Sequence, residues 1–182
     1  MAKIFNYQKF ETHLIKETRT LEIKFKTKEG PTFFDLEFLF ELESILAWAT
    51  TRLEIHTIYI ESSASLLSIG INTEILKSYP KTKIEKIQQK LQKINQSLML
   101  LPQTVIINIG EGTKNIASEF ALAADIRIGQ HNAKVSFDHA NLGLIPCSGG
   151  IAQLGQMIGH GNARAWILSG QEIEAEPLYL PN

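Results

Sequence analysis

Two residues of this chain could pass a proton near neutral pH. Glu119 lies in SEFALAA, a helix-forming stretch from Ser118 to Ala124. His139 stands where the chain leaves a strand-like segment, Lys134 to Phe137. A positioned carboxylate and imidazole can serve as acid and base, since an unperturbed imidazole titrates near about pH 6.5. Each also has a plainer reading. Glu119 suits the first turn of a helix, where the dipole favours an anion, and His139 suits a loop histidine bonded to a backbone carbonyl. Ser118 adds a further pattern. With His139 and a nearby acid, Asp125 or Asp138, it could form a hydrolytic serine–histidine–acid set if the three come within hydrogen-bond reach. Asp138 could equally orient His139 or face water. Cys147 follows Pro146, and a lone cysteine in such a loop is more often a small packed residue than a nucleophile. Gly149-Gly150 before a helix could turn N–H groups toward an anion, though the dipeptide alone is a weak signal.

Alternating strands and helices must position these groups. Thr20 to Lys26 (TLEIKFK) alternates apolar and charged residues, as a half-buried strand does. Glu29-Gly30-Pro31 reads as a turn. Asp35 can cap a helix running to about Thr51. Ile55 to Glu61 is a second strand, and a short helix follows near Asn72 to Ser78. From Thr82 onward, Ile84, Ile87, Leu91, Ile94 and Leu98 recur at helical spacing, which predicts an amphipathic helix with a core-facing stripe. Thr104 to Ile109 is a buried strand, and Asp125 to Ile128 and Lys134 to Phe137 are two more. Helices are expected over Gly149 to Ile158 and Asn162 to Ser169, with His160-Gly161 as the turn between them. This alternation predicts an α/β layered domain.

Composition narrows the function classes. The chain has 182 residues, 44% hydrophobic and 20% charged, which predicts one globular domain over 1–182. A formal net charge of -1 carries no electrostatic footprint for nucleic acid. One cysteine allows neither an internal disulfide nor a zinc spacing, so no metal is expected. The first residues do not read as a secretory signal. No apolar run approaches the roughly 20 residues of a membrane span. The expectation is a cytoplasmic protein without membrane partners.

The most specific stretch is Ala133 to Gly150, AKVSFDHANLGLIPCSGG. It resembles the crotonase (enoyl-CoA hydratase/isomerase) superfamily, whose members typically read A-K-F-G-x-P-E-x-x-L-G-L-x-P-G-x-G-G. His139 stands where hydratases carry a catalytic glutamate. The resemblance covers about Leu21 to Ala175 and is specific from Thr104 onward. It implies the crotonase (ClpP/crotonase) spiral of repeated β-β-α units. It also implies a C-terminal helical region that completes the pocket and the trimer contacts, and the sequence ends at Asn182 without it.

The resemblance further implies a lyase or isomerase of fatty acid metabolism. Such a protein acts on an acyl-CoA or carrier-bound thioester, with coenzyme A entering as part of the substrate and no other cofactor. In that chemistry two backbone N–H groups stabilise an enolate oxyanion. By correspondence with F-S-A-G-A-D-L, Leu67 to Thr73 supplies the first donor at Ile69. By correspondence with G-G-G-x-E-L, Asn115 to Phe120 supplies the second at Ile116. Glu119 and His139 match the acid/base pair. Two alternatives stand beside the enzyme. One is a degenerate crotonase fold that serves as a binding or assembly subunit. The other is a hydrolase similar to the Clp-type serine proteases, with Ser118 as nucleophile. A homotrimer is the family's usual assembly.

Overall fold

The computed structural model describes residues 2–3, 6–27 and 32–174. The expected turn at Glu29-Gly30-Pro31 lies outside them. The described strands form one seven-stranded sheet in sequence order: β1 (Ala2–Lys3), β2 (Phe10–Ile15), β3 (Thr20–Phe25), β4 (Thr57–Ser62), β5 (Thr104–Lys114), β6 (Ile126–Ser136) and β7 (Glu172–Glu174). Pairing is parallel from β3 through β6 and antiparallel at both margins. Parallel neighbours require crossovers, and helices fill them. These are α1 (Leu36–Thr50), α2 (Thr73–Lys77), α3 (Lys81–Leu100) and α4 (Asn115–Leu122). Two more, α5 (Gly150–Ile158) and α6 (His160–Ser169), follow β6.

Local chemistry starts these helices where the sequence predicts. The Asp35 carboxylate accepts the Phe38 N–H at 2.8 Å and caps α1. The stripe on α3 packs inward, with Ile87, Leu91, Ile94 and Leu98 buried. Under the sheet, Phe34 stacks on Phe38 at 4.5 Å between centroids and meets Phe120 edge-on at 5.4 Å. Phe120 thereby ties α4 to the main core, which fixes its neighbour Glu119.

Two expectations change. The strands expected at Asp125 to Ile128 and Lys134 to Phe137 are one continuous strand, β6, paired along β5 and β7. Gln130, His131 and Asn132 run through the strand where its register with β5 shifts, between the stretches paired at Gly129 and Lys134, so the apolar pattern alone could not reveal the join. His160 opens α6, and Gly159 takes the positive φ of +81° that the junction needs. One sheet feature positions the site. The β5–β6 register shifts between Asn108 and Gly112, bending the second half of β5. That half bridges to Leu66 and Ser68, and the Lys114 N–H bonds Ser68 O at 3.2 Å. The loop 66–71 is so brought against the start of α4.

Candidate functional site

Glu119 and His139 meet. His139 Nε2 lies 3.0 Å from Glu119 Oε1, and both residues have zero solvent exposure. Three backbone N–H groups complete the carboxylate's shell. Cys147 donates to Oε1 at 3.2 Å, while Ser148 and Gly150 donate to Oε2 at 2.8 and 2.9 Å. The Gly150 N–H opens α5, so the carboxylate also sits at a helix N-terminus. Gly150 is glycine for a steric reason: a Cβ there would lie 2.6 Å from Glu119 Cγ.

Burial pushes the Glu119 carboxyl upward. The His139 hydrogen bond and the Gly150 and Ser148 N–H groups outweigh it and hold the carboxyl below the usual value. Glu119 is therefore an ionised acceptor, and His139 Nε2 must carry the shared proton. His139 Nδ1 is left buried without a hydrogen-bond partner. Glu119 thus pins α4, the loop after β6 and the start of α5 together. Polar residues of α3 hold the same loop from the other side: Gln92 Nε2 donates to Cys147 O at 2.8 Å and Asn95 Nδ2 to Ser148 O at 3.1 Å.

Ser118 is buried beside this pair but turned away from it. Its hydroxyl donates to Ser136 O at 2.7 Å, and His139 Nε2 is already engaged by Glu119. The serine–histidine hydrogen bond that nucleophilic attack requires is not formed. Asp125 caps another element, accepting the Val105 N–H at 2.7 Å. The Cys147 thiol is pushed up to about 11 by burial and by the Glu119 charge, so it stays protonated at neutral pH.

The expected donor pair needs correction. The Ile69 N–H is bonded to Thr32 O at 3.3 Å and is not free to receive a ligand oxygen. The N–H that converges with Ile116 is that of Ile71. Ile116 N lies 2.6 Å and Ile71 N 3.3 Å from one common oxygen, Oδ1 of Asn115. The carboxamide's other end donates to Ile69 O at 2.7 Å. Gly70, at φ +80°, makes room: a Cβ there would fall 1.7 Å from Asn115 Oδ1. Asn115 itself has φ +39°, a conformation asparagine tolerates better than most residues. Sequence reasoning missed Asn115 and Ile71. The available signal was an asparagine at the position that corresponds to the first glycine of the G-G-G-x-E-L motif, at the start of α4.

Ile71 and Ile116 also border a cavity of about 590 Å³, whose other walls include Ile87 and Leu91 of α3 and Leu144 and Cys147 of the loop. That volume suits a small-molecule ligand. Glu119 and His139 are not among its lining residues.

Residues 16–179 match the family model described as enoyl-CoA hydratase/isomerase. The chain belongs to this family. Among curated relatives, the fatty acid oxidation complex subunit alpha of Pseudomonas putida (strain GB-1) is 26% identical over 164 residues, covering 88% of this chain and 23% of the relative. The corresponding Pseudomonas entomophila (strain L48) subunit is 27% identical with the same coverage. The chain therefore spans under a quarter of the length of these relatives. Among solved structures, enoyl-CoA hydratase from Bacillus anthracis aligns with a TM-score of 0.87 at 21% identity, over 93% of this chain and 66% of that one. Pseudomonas aeruginosa DspI aligns at 0.88 and 22% identity, over 97% and 67%. These likenesses show the crotonase fold, and the chain spans about two thirds of the length of these solved structures. Among the described residues, no helix is long and apolar enough to cross a membrane, and no group of three or more His, Cys, Asp or Glu could hold a metal ion.

Proposed function

We propose that this chain binds an acyl thioester, coenzyme A-linked or carrier-bound, in the cavity beside α3 and does not hydrate it. The supporting observation is a separation. The cavity touches Ile71 and Ile116, whose N–H groups converge, while Glu119 and His139 lie outside its lining with zero exposure. A hydratase pair must share a water between its acid and base. Here the two groups share a proton with each other, and the carboxylate's remaining acceptor sites are taken by three N–H groups. Glu119 and His139 then serve to hold the cavity's loop in place. The apolar walls from α3 suit the acyl portion of a ligand.

Calorimetry with crotonyl-CoA tests this, together with the enoyl absorbance of the same mixture. Saturable binding with an unchanged enoyl absorbance is expected. Turnover that falls by roughly 10²–10⁴-fold in His139→Ala would restore the pair to acid/base work. An absence of binding would remove the thioester from the cavity.

A further inference from the structure

The carboxamide of Asn115 occupies the spot where two N–H groups converge. We propose that Asn115 is a built-in competitor for the ligand's carbonyl oxygen. Its Oδ1 fills the hole between Ile71 and Ile116, and a thioester carbonyl enters only when this side chain leaves. The proposal rests on the reading of the cavity as an acyl-thioester site.

The geometry supports a fitted plug. Oδ1 takes both donors, at 2.6 Å from Ile116 N and 3.3 Å from Ile71 N, and Nδ2 is anchored on Ile69 O at 2.7 Å. The residue is only 3% exposed. Across from it, Gly70 lacks the side chain that would collide with Oδ1. The backbone of Asn115 stays in the left-handed region at φ +39°, and such conformations persist only where surroundings over-determine them. The exchange chemistry follows from the donor count. A carboxamide oxygen and a thioester oxygen are both neutral carbonyl acceptors, so a ground-state ligand gains no hydrogen bond by the swap. It also forfeits the Nδ2 bond to Ile69 O. An enolate oxygen is charged and accepts more strongly. The plug therefore holds against a neutral acyl group and yields most readily to an anionic one. A solely structural asparagine, tying α4 to the loop 66–71, is the rival account.

Crotonyl-CoA labelled with ¹³C at the carbonyl separates the two by calorimetry and difference infrared spectroscopy. The full chain binds it with an unshifted carbonyl band. Asn115→Gly, a residue suited to this φ, binds about tenfold tighter or better and moves the band to lower frequency. Asn115→Asp keeps an oxygen between the donors and shows neither change. A shifted band in the unsubstituted protein overturns the proposal. So does an unshifted band in Asn115→Gly, or an equal gain in Asn115→Asp, which would mark mere loosening. If Asn115→Gly does not fold, amide exchange in the unsubstituted protein decides. Slow exchange at Ile71 and Ile116 that crotonyl-CoA leaves unchanged is expected, and fast exchange without ligand refutes the plug. If crotonyl-CoA binds none of the proteins, the thioester reading and this proposal fall together. Binding with an unshifted band in Asn115→Gly removes the proposal alone.

Discussion

Replacing Glu119 by glutamine tests whether the carboxylate is a structural anion. The substitution keeps the shape and removes the charge. Each carboxylate oxygen accepts two donors: Cys147 N and His139 Nε2 on one, Ser148 N and Gly150 N on the other. Glutamine offers one oxygen and one NH₂, so one donor pair meets a donor. His139 can relieve one clash by switching tautomer, but no backbone N–H can. On the Oε2 side two buried N–H groups lose their acceptor, and on the Oε1 side one does. An unsatisfied buried donor costs about 1–3 kcal/mol, and bonds to a charged acceptor contribute about 1.5–3 kcal/mol each. The expected destabilisation is therefore about 3–5 kcal/mol. In a chain of this size each kcal/mol moves Tm by about 2–4 °C, so Glu119→Gln should melt roughly 6–20 °C lower. Thermal circular dichroism reads this directly. The acid side gives a second reading. The folded carboxyl titrates below its ordinary 4.5, so its contribution is complete above about pH 4.5 and is lost as pH falls through the folded value. The gap in Tm between the two proteins should narrow in that range. A variant that melts within about 3 °C of the parent, or above it, refutes the reasoning. A carboxylate retained for chemistry is commonly held at a cost to stability, and its removal then raises Tm.

Gly150→Ala drives a Cβ to 2.6 Å from Glu119 Cγ and should cost about 1–3 kcal/mol in a denaturant melt, whereas a cost below about 0.5 kcal/mol would show that α5 can shift. The Cys147 thiol, at about 11 rather than 9.0, leaves ~100-fold less thiolate at pH 8. Iodoacetamide should alkylate it about that much more slowly than an unperturbed thiol, and a rate within tenfold would contradict the burial argument. Ser118→Ala removes the bond to Ser136 O and should lower stability by about 1 kcal/mol without changing thioester hydrolysis. Loss of a measured hydrolysis in that variant would return Ser118 to a chemical role.

Much of this protein is legible in its sequence because local rules suffice. The 3.6-residue stripe of α3, the Asp35 cap and the alternation of β3 each specify an element from a few neighbouring residues. The stretch Ala133 to Gly150 was enough to suggest the family that the match over residues 16–179 now shows. Correspondence with the family's motifs paired Glu119 with His139 as acid and base, and in the fold their side chains are hydrogen-bonded to each other.

Tertiary structure alone decided what those residues meet. Whether a glutamate holds a water or three N–H groups depends on a loop and helix far along the chain, and no local pattern encodes that closure. The donor in loop 66–71 moved from Ile69 to Ile71 because Thr32, on a separate segment, accepts the Ile69 N–H. Asn115 reads in sequence as a polar residue near a helix start. Only the bend of β5, which brings Gly70 against α4, turns its carboxamide into the occupant of that hole. Backbone propensity and hydrophobic periodicity are properties of short windows, whereas hydrogen-bond saturation is a property of the assembled fold.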